Sequence, residues 1–196
     1  MKQQHISVTR KTKETDITVS LDLEKAGTVS VATTVPFFDH LLTSLAFHGG
    51  FSLSVTARGD TEADPHHLVE DTGIVLGQVL RKRAESESPL QRFGHAVIPM
   101  DEALAEVVLD VSGRSHLVYV AEYPQERCGT FDTALIKEFL LGLIRTADIT
   151  LHTLVRYGEN SHHMAEALFK ALGKVLKIAY TRSSTKEIPS TKGVLE

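Results

Sequence analysis

Cysteine is nearly missing from this chain: Cys128 is the only one in 196 residues. An intramolecular disulfide is therefore impossible, and a zinc site built on several thiolates is excluded. Basic excess is missing as well. Lysine and arginine total 21 against 25 aspartates and glutamates, for a net charge of −4, and no basic cluster is longer than Arg81-Lys82-Arg83. That balance argues against nucleic acid as a partner. No apolar run approaches the roughly 18 residues that cross a bilayer, and the opening MKQQHISVTRKTKE lacks the apolar centre of a signal peptide. No membrane partner is expected, and the expected address is cytoplasmic.

What is present is ordinary with one exception. Hydrophobic residues make up 42% and charged residues 23%, the composition of a globular protein with enough chain for a proper core. Histidine stands out at 10 residues. An excess of imidazole raises the question of metal or proton chemistry.

The histidines are not scattered. His66-His67-Leu68-Val69-Glu70 recurs as His162-His163-Met164-Ala165-Glu166, an offset of 96 (162 − 66). Gly77, Val79 and Leu80 meet Gly173, Val175 and Leu176 at that offset, as Asp64 meets Asn160. Further upstream the offset becomes 98 (143 − 45, Leu45 with Leu143), which lays Asp39-His40-Leu41-Leu42 over Lys137-Glu138-Phe139-Leu140. Earlier still it is 88 (102 − 14), pairing Glu14 with Glu102 and Val19–Asp22 with Val107–Asp110. Drifting offsets are what changed loop lengths leave between duplicated halves. The chain reads as one domain made of two halves, 4–84 and 92–181, joined through Ser86-Glu87-Ser88-Pro89, with a tail over 183–196.

Each half carries the same elements. Ile17, Val19, Leu21 and Leu23 alternate as a half-buried strand, and Glu106–Val111 is their counterpart, apolar enough for a strand covered on both sides. Thr28–Val31 and His116–Ala121 read as short strands. A helix follows from Pro36, a residue suited to a first helical position, to Gly49-Gly50; its partner is expected over 131–146. Then come a strand, Phe51–Val55 or Ile149–Val155, and a second helix from His66 or His162, with Asp64 and Asn160 as N-caps. Strands, helix, strand, helix, twice over, predict an α+β fold in which helices cover the sheets.

Helical geometry shapes the chemistry. Residues i and i+4 share a face, so His66 with Glu70, and His162 with Glu166, can each address one point. His67 and His163 lie about 100° round their helices and must point elsewhere. Under the pseudo-twofold relation of the halves, two ions form a natural solution, each taking a His/Glu pair from one half and the neighbouring His from the other. His40 could complete one site and Glu138, its repeat partner, the other. Imidazole and carboxylate without thiolate suit Mn(II), Fe(II), Co(II), Ni(II) or Zn(II); several ligands per ion favour six-coordination and hence Mn(II), two per site. The Glu follows both histidines, so the HExxH of zinc proteases does not fit.

Other residues are less patterned. Arg92, Arg114 and Lys192 have no acidic partner at helical spacing, and Gly113-Arg114-Ser115 reads as a turn presenting a guanidinium. The hydroxyls of Ser190 and Thr191 beside Lys192 suit phosphate. Phe37, Phe38, Phe47, Phe51 and Phe169 read as core, and His5, His48, His95, His116 and His152, which fit no ligand spacing, as structural.

With these residues in place the sequence resembles the imidazoleglycerol-phosphate dehydratase family over nearly its whole length. The likeness is carried by Phe38-Asp39-His40-Leu41-Leu42, Asp64-Pro65-His66-His67-Leu68-Val69-Glu70-Asp71, Met100-Asp101-Glu102-Ala103, Asp110-Val111-Ser112-Gly113-Arg114, Asn160-Ser161-His162-His163-Met164-Ala165-Glu166 and Pro189-Ser190-Thr191-Lys192-Gly193. The resemblance implies a lyase of histidine biosynthesis, trimers assembled into an octahedral shell, and active sites between subunits holding two manganese ions. It implies His40, His67, His162 and Glu166 around one ion, and His66, Glu70, His163 and position 138 around the other. Glu14, Arg92, Arg114, Ser190 and Lys192 match substrate-contacting positions, the basic ones and the tail at the phosphate. Where this family usually has His, the chain has Glu138, an oxygen donor expected to ligate.

The reaction so implied converts imidazoleglycerol phosphate to imidazole acetol phosphate. The C–H that breaks is not acidic, so a plain base fails. A ring held as imidazolate between two ions can expel hydroxide to a diazafulvene-like species, whose adjacent proton is then removable. Glu166 and then Glu14 are the expected proton carriers. Two rivals share the His/Glu set: a dinuclear hydrolase of a phosphate ester and a non-catalytic metal-storage shell.

Overall fold

The computed structural model describes residues 5–62, 64–85 and 89–183. Two four-stranded sheets and four helices repeat one plan. The first half runs β1 (Ile6–Lys11), β2 (Thr15–Asp22), β3 (Val29–Ala32), α1 (Pro36–Gly49), β4 (Ser52–Gly59) and α2 (His66–Ala84). The second runs β5 (Phe93–Met100), β6 (Ala103–Asp110), β7 (His116–Val120), the short strands β8 (Arg127–Cys128) and β9 (Phe131–Asp132), α3 (Leu135–Ala147), β10 (Thr150–Tyr157) and α4 (Ser161–Ala179). Strand order is β1-β2-β4-β3 in one sheet and β5-β6-β10-β7 in the other. In each, the third strand in sequence lies parallel to its neighbour and the rest are antiparallel. The duplicated α+β plan expected from the sequence is the one observed.

Three details differ from expectation. Strands β1 and β5 pair with β2 and β6 as hairpins, although their mixed polar sequences gave no clear alternation. β6 is covered on one face only, since Glu106 and Val108 point outward and Val108 is 38% exposed. And α3 begins at Leu135, because the preceding residues are drawn into the β8–β9 hairpin.

The helices form the layer between the sheets, and they pair across the halves: α2 with α3, and α1 with α4. Glycine makes both pairings close. A Cβ built on Gly142 would lie 2.5 Å from the Glu70 carbonyl oxygen, and Gly73 and Gly77 bring α2 onto the Phe139 and Leu143 carbonyls. In the other pair Gly173 meets the Leu45 carbonyl and Gly49 meets that of Gly173. Around these crossings lie Phe38, Phe139, Phe169, Leu45, Leu143, Leu76 and Leu172, all essentially inaccessible. Phe51 joins them, but Phe47 does not: at 72% exposed it sits on the outer face of α1.

Candidate active site

The ends of α2 and α4 that carry the histidines are fixed by side-chain acceptors: Asn160 is the N-cap of α4 as expected, whereas the N-cap of α2 is Pro65 and Asp64 stands one residue before it. Asp64 Oδ1 accepts the His66 backbone N–H at 2.7 Å, and Asn160 Oδ1 accepts that of His162 at 2.9 Å. Each satisfies a donor that the first turn leaves open and sets the double-His segment at the start of its helix. The helix from Pro36 delivers His40 one turn in; it closes at Gly50, which is left-handed at φ 71°.

Pairing α1 against α4 brings His40, His162 and Glu166 together. One donor atom from each lies within 4.8 Å of the others; the two imidazole Nε2 atoms are each 3.3 Å from the same oxygen, Glu166 Oε2. The other oxygen, Oε1, accepts from Lys170 Nζ at 2.9 Å and Ser44 Oγ at 3.4 Å. Burial works against ionisation of Glu166, but the Lys170 ammonium and the hydrogen bond from His40 outweigh it and hold the carboxyl at about 2. Phe37 is half-buried; it packs against the core, 5.5 Å from the Phe131 ring, and also sets its ring against both imidazoles, 5.0 Å from that of His162 and 6.0 Å from that of His40, so it belongs to the site wall as well as to the core margin.

Repeat symmetry places a second set on α2 and α3. His66 Nε2 is 3.9 Å from Glu70 Oε2. The contact of Gly142 with the Glu70 carbonyl and the hydrogen bond from Thr146 to the Ile74 carbonyl mark one helical row; one turn earlier on both helices lie Glu138 and His66. Glu138 nevertheless stays outside, since His40, His162 and Glu166 are the only such triad among the described residues. Glu70 is met instead by Arg145 at 3.4 Å.

The remaining histidines of each pair turn to the hairpins. His163 Nδ1 is 2.7 Å from Glu102 Oε2 at the β5–β6 turn, and His67 Nδ1 is 3.9 Å from Glu14 Oε2 at the β1–β2 turn. Within one chain, then, His67 does not join the His40 cluster and His163 does not join His66 and Glu70. Hydrogen bonding to His163 lowers Glu102 to about 2 and raises the imidazole. Glu14 is exposed, on a loop anchored by Thr15, whose hydroxyl donates to buried Asp71 at 2.5 Å; Arg10 pairs with the same carboxylate at 2.6 Å. Arg92 does have an acidic partner, one no helical spacing would show: across the sheet, Asp110 takes its Nε at 2.7 Å. Arg114 is exposed in the turn after Gly113, whose φ is 76°. Ser190, Thr191 and Lys192 lie outside the described residues. The other histidines lie mostly at the surface, His95 against Glu106 and His116 against His152.

The imidazoles of His40 and His162 open onto a cleft of about 660 Å³. Its far wall includes Gln125, Arg127, Cys128 and Thr130, and Arg127 and Thr130 also line a second cleft beside Asp64 and His66. The β8–β9 hairpin thus stands between the two His sets, and sequence reasoning missed it. Its signal was there: the repeat offset jumps from 88 to 98 across this stretch, ten extra residues (98 − 88) that the first half lacks.

Fold and site together define a class, an internally duplicated α+β protein whose paired helices present imidazole and carboxylate donors to a cleft. The imidazoleglycerol-phosphate dehydratase family model matches residues 33–176. An imidazoleglycerol-phosphate dehydratase of Geobacillus sp. is 48% identical over 97% of this chain and 98% of its own length, and one of Anaeromyxobacter sp. Fw109-5 is 50% identical over 96% and 92%. Crystal structures of the Pyrococcus furiosus and Staphylococcus aureus dehydratases superpose with TM-scores of 0.84 and 0.81 at 39% and 38% identity. They cover 96% and 91% of this chain, and it covers 100% and 99% of theirs. The chain belongs to the imidazoleglycerol-phosphate dehydratase family, and is thereby a hydro-lyase of histidine biosynthesis. No helix among the described residues is long and apolar enough to cross a membrane.

Proposed function

We propose that this chain dehydrates imidazoleglycerol phosphate to imidazole acetol phosphate with two manganese ions per site. The observation that carries the metal reading is the triad: two imidazole nitrogens and a carboxylate oxygen converge on one point, and the carboxylate is held ionised with no thiolate among the donors. That donor set fits Mn(II). His40, His162 and Glu166 would hold one ion, and His66, Glu70 and Glu138 the other. His67 and His163 would complete these sets across subunit boundaries, in trimers built into an octahedral shell. Bound there, the ions would supply the positive charge that stabilises the substrate's azole ring as its anion.

The chain's own groups account for the rest. The C–O bond at the carbon next to the ring breaks and the oxygen leaves as water, while the neighbouring carbon gives up a proton; the resulting enol tautomerises to the ketone. Of the two candidate carboxylates, geometry favours Glu14 as proton carrier. Glu166 is occupied by His40, His162, Lys170 and Ser44, whereas Glu14 is exposed on an anchored loop beside His67. Arg92, Arg114 and the tail residues Ser190, Thr191 and Lys192 suit the phosphate. Incubation with imidazoleglycerol phosphate, with manganese supplied and then chelated, tests the reading. Ketone formed only with metal is expected; inorganic phosphate released without ketone would mark a hydrolase, and no turnover with metal retained a storage shell.

A further inference from the structure

Duplication produced two hairpin glutamates, Glu14 and Glu102, and the structure puts them to different uses. The β5–β6 turn is tight: Met100 pairs with Ala103, leaving Asp101 and Glu102 as its two central residues, with Asp101 left-handed at φ 48°. The β1–β2 turn is longer, with Lys11 paired to Asp16 and four residues between. The short turn lays the Glu102 carboxylate on the start of α4. One oxygen accepts the backbone N–H groups of Glu159 at 3.1 Å and Asn160 at 2.8 Å; the other lies 2.7 Å from His163 Nδ1. Glu14 makes no such bond, its oxygen being 3.9 Å from His67 Nδ1.

A carboxylate anchored by two backbone donors cannot swing away from the imidazole, and its free oxygen can only accept. His163 must therefore donate through Nδ1, so that Nε2 is the nitrogen that can offer a lone pair to an ion. The nearest acid to Nε2 is Asp101 at 3.8 Å, beyond hydrogen-bond reach. A ligating histidine whose other nitrogen donates to a carboxylate is fixed in tautomer and ring orientation, and losing the acceptor costs roughly 10- to 100-fold in metal affinity. We infer that Glu102 is the positioning residue of the second manganese site, acting through His163, whereas its repeat partner Glu14 has been left free for the substrate.

This inference rests on the proposed metal centre, and the test separates the two. Manganese affinity of the full-length protein is measured by competition with a chelator, alongside the melting temperature of the metal-free form. Wild-type protein that retains no manganese would fail the metal reading itself. If wild type binds, Glu102→Gln is expected to bind about 10- to 100-fold more weakly at one site. In a mutant cycle, Glu102→Gln on a His163→Ala background should cost nothing further, because its target is gone. Unchanged affinity in Glu102→Gln, or losses that add in the double variant, overturns the inference. Asn160→Ala removes the other side-chain acceptor at the same helix start. It should lower the melting temperature and cost clearly less affinity than Glu102→Gln, since it leaves the acceptor of His163 in place; an affinity loss there equal to or greater than that of Glu102→Gln would assign the effect to the helix end and overturn the inference also.

Discussion

Gly142→Ala tests whether the close approach of α2 and α3 sets the second His/Glu pair. The added methyl would meet the Glu70 carbonyl oxygen at 2.5 Å, with the Ile74 amide nitrogen at 3.1 Å and its Cγ1 at 3.3 Å. Two of the three are backbone atoms and cannot rotate away, so the helices must part by about an ångström to restore contact distance. Overpacking of a tight core costs about 1–3 kcal/mol, and a clash with backbone belongs at the upper end. Alanine returns about 1 kcal/mol through helix propensity, leaving a net loss of about 2 kcal/mol. At about 2–4 °C per kcal/mol for a domain of this size, the metal-free melting temperature should fall by about 4–8 °C. Because the displaced carbonyl belongs to Glu70 itself, dehydration should also slow, by up to about 100-fold if the shift reaches an ångström. Circular dichroism melts and product formation measure the two effects. A variant as stable as wild type, or more stable, would refute the packing argument; one destabilised but fully active would refute its link to the site.

Three further outcomes follow. Glu166 is held at about 2 against an ordinary 4.5, so it stabilises the metal-free fold above pH 4.5, and that contribution is lost as pH falls from 4.5 toward 2; urea midpoints across this interval should drop more steeply for wild type than for Glu166→Gln. Asp71→Ala removes the acceptor of Thr15 and the partner of Arg10, at an expected cost of about 1–3 kcal/mol, and should reduce kcat through the loosened Glu14 loop; unchanged kcat would separate Asp71 from Glu14. Glu138→Ala should lower tightly held manganese from two ions per chain toward one, read by metal analysis after gel filtration, and two ions retained would show that Glu138 is not a ligand.

Much of the fold was legible because duplication made each half a check on the other. Asn160 was readable as a cap and is one; Asp64 lies one residue before the N-cap Pro65, yet it too bonds to the histidine backbone two residues on. The convergence of His162 with Glu166 was readable from i, i+4 spacing; that His40 joins them was implied only by the family resemblance. What was not legible depends on tertiary packing. Arg92 finds Asp110 across a sheet, and Phe37 reaches two imidazoles because α1 lies on α4. Neither relation has a period in sequence. Glu102 stood in plain view as the repeat partner of Glu14, yet only the tight turn reveals that it faces His163 rather than solvent.

The two halves also explain why one triad is assembled in a single chain and the other is not. At the offsets of the helices, Ser44 corresponds to Gly142 (142 − 44 = 98) and Lys170 to Ile74 (170 − 74 = 96). Ser44 and Lys170 both bind the far oxygen of Glu166, so its near oxygen is fixed toward His40 and His162 before any ion arrives. In the other half glycine and isoleucine can do neither. Glu70 has His66 Nε2 at 3.9 Å and Arg145, an exposed side chain, at 3.4 Å, and Glu138 puts a carboxylate at the repeat position of the His40 imidazole. In the proposed second site two carboxylates would face one ion, and like charges repel until a cation lies between them. The half with His is therefore organised in advance by its own side chains. On the proposed reading, the half with Glu138 would depend on the incoming charge to draw its donors together, so the second position would be the more responsive of the two to metal concentration.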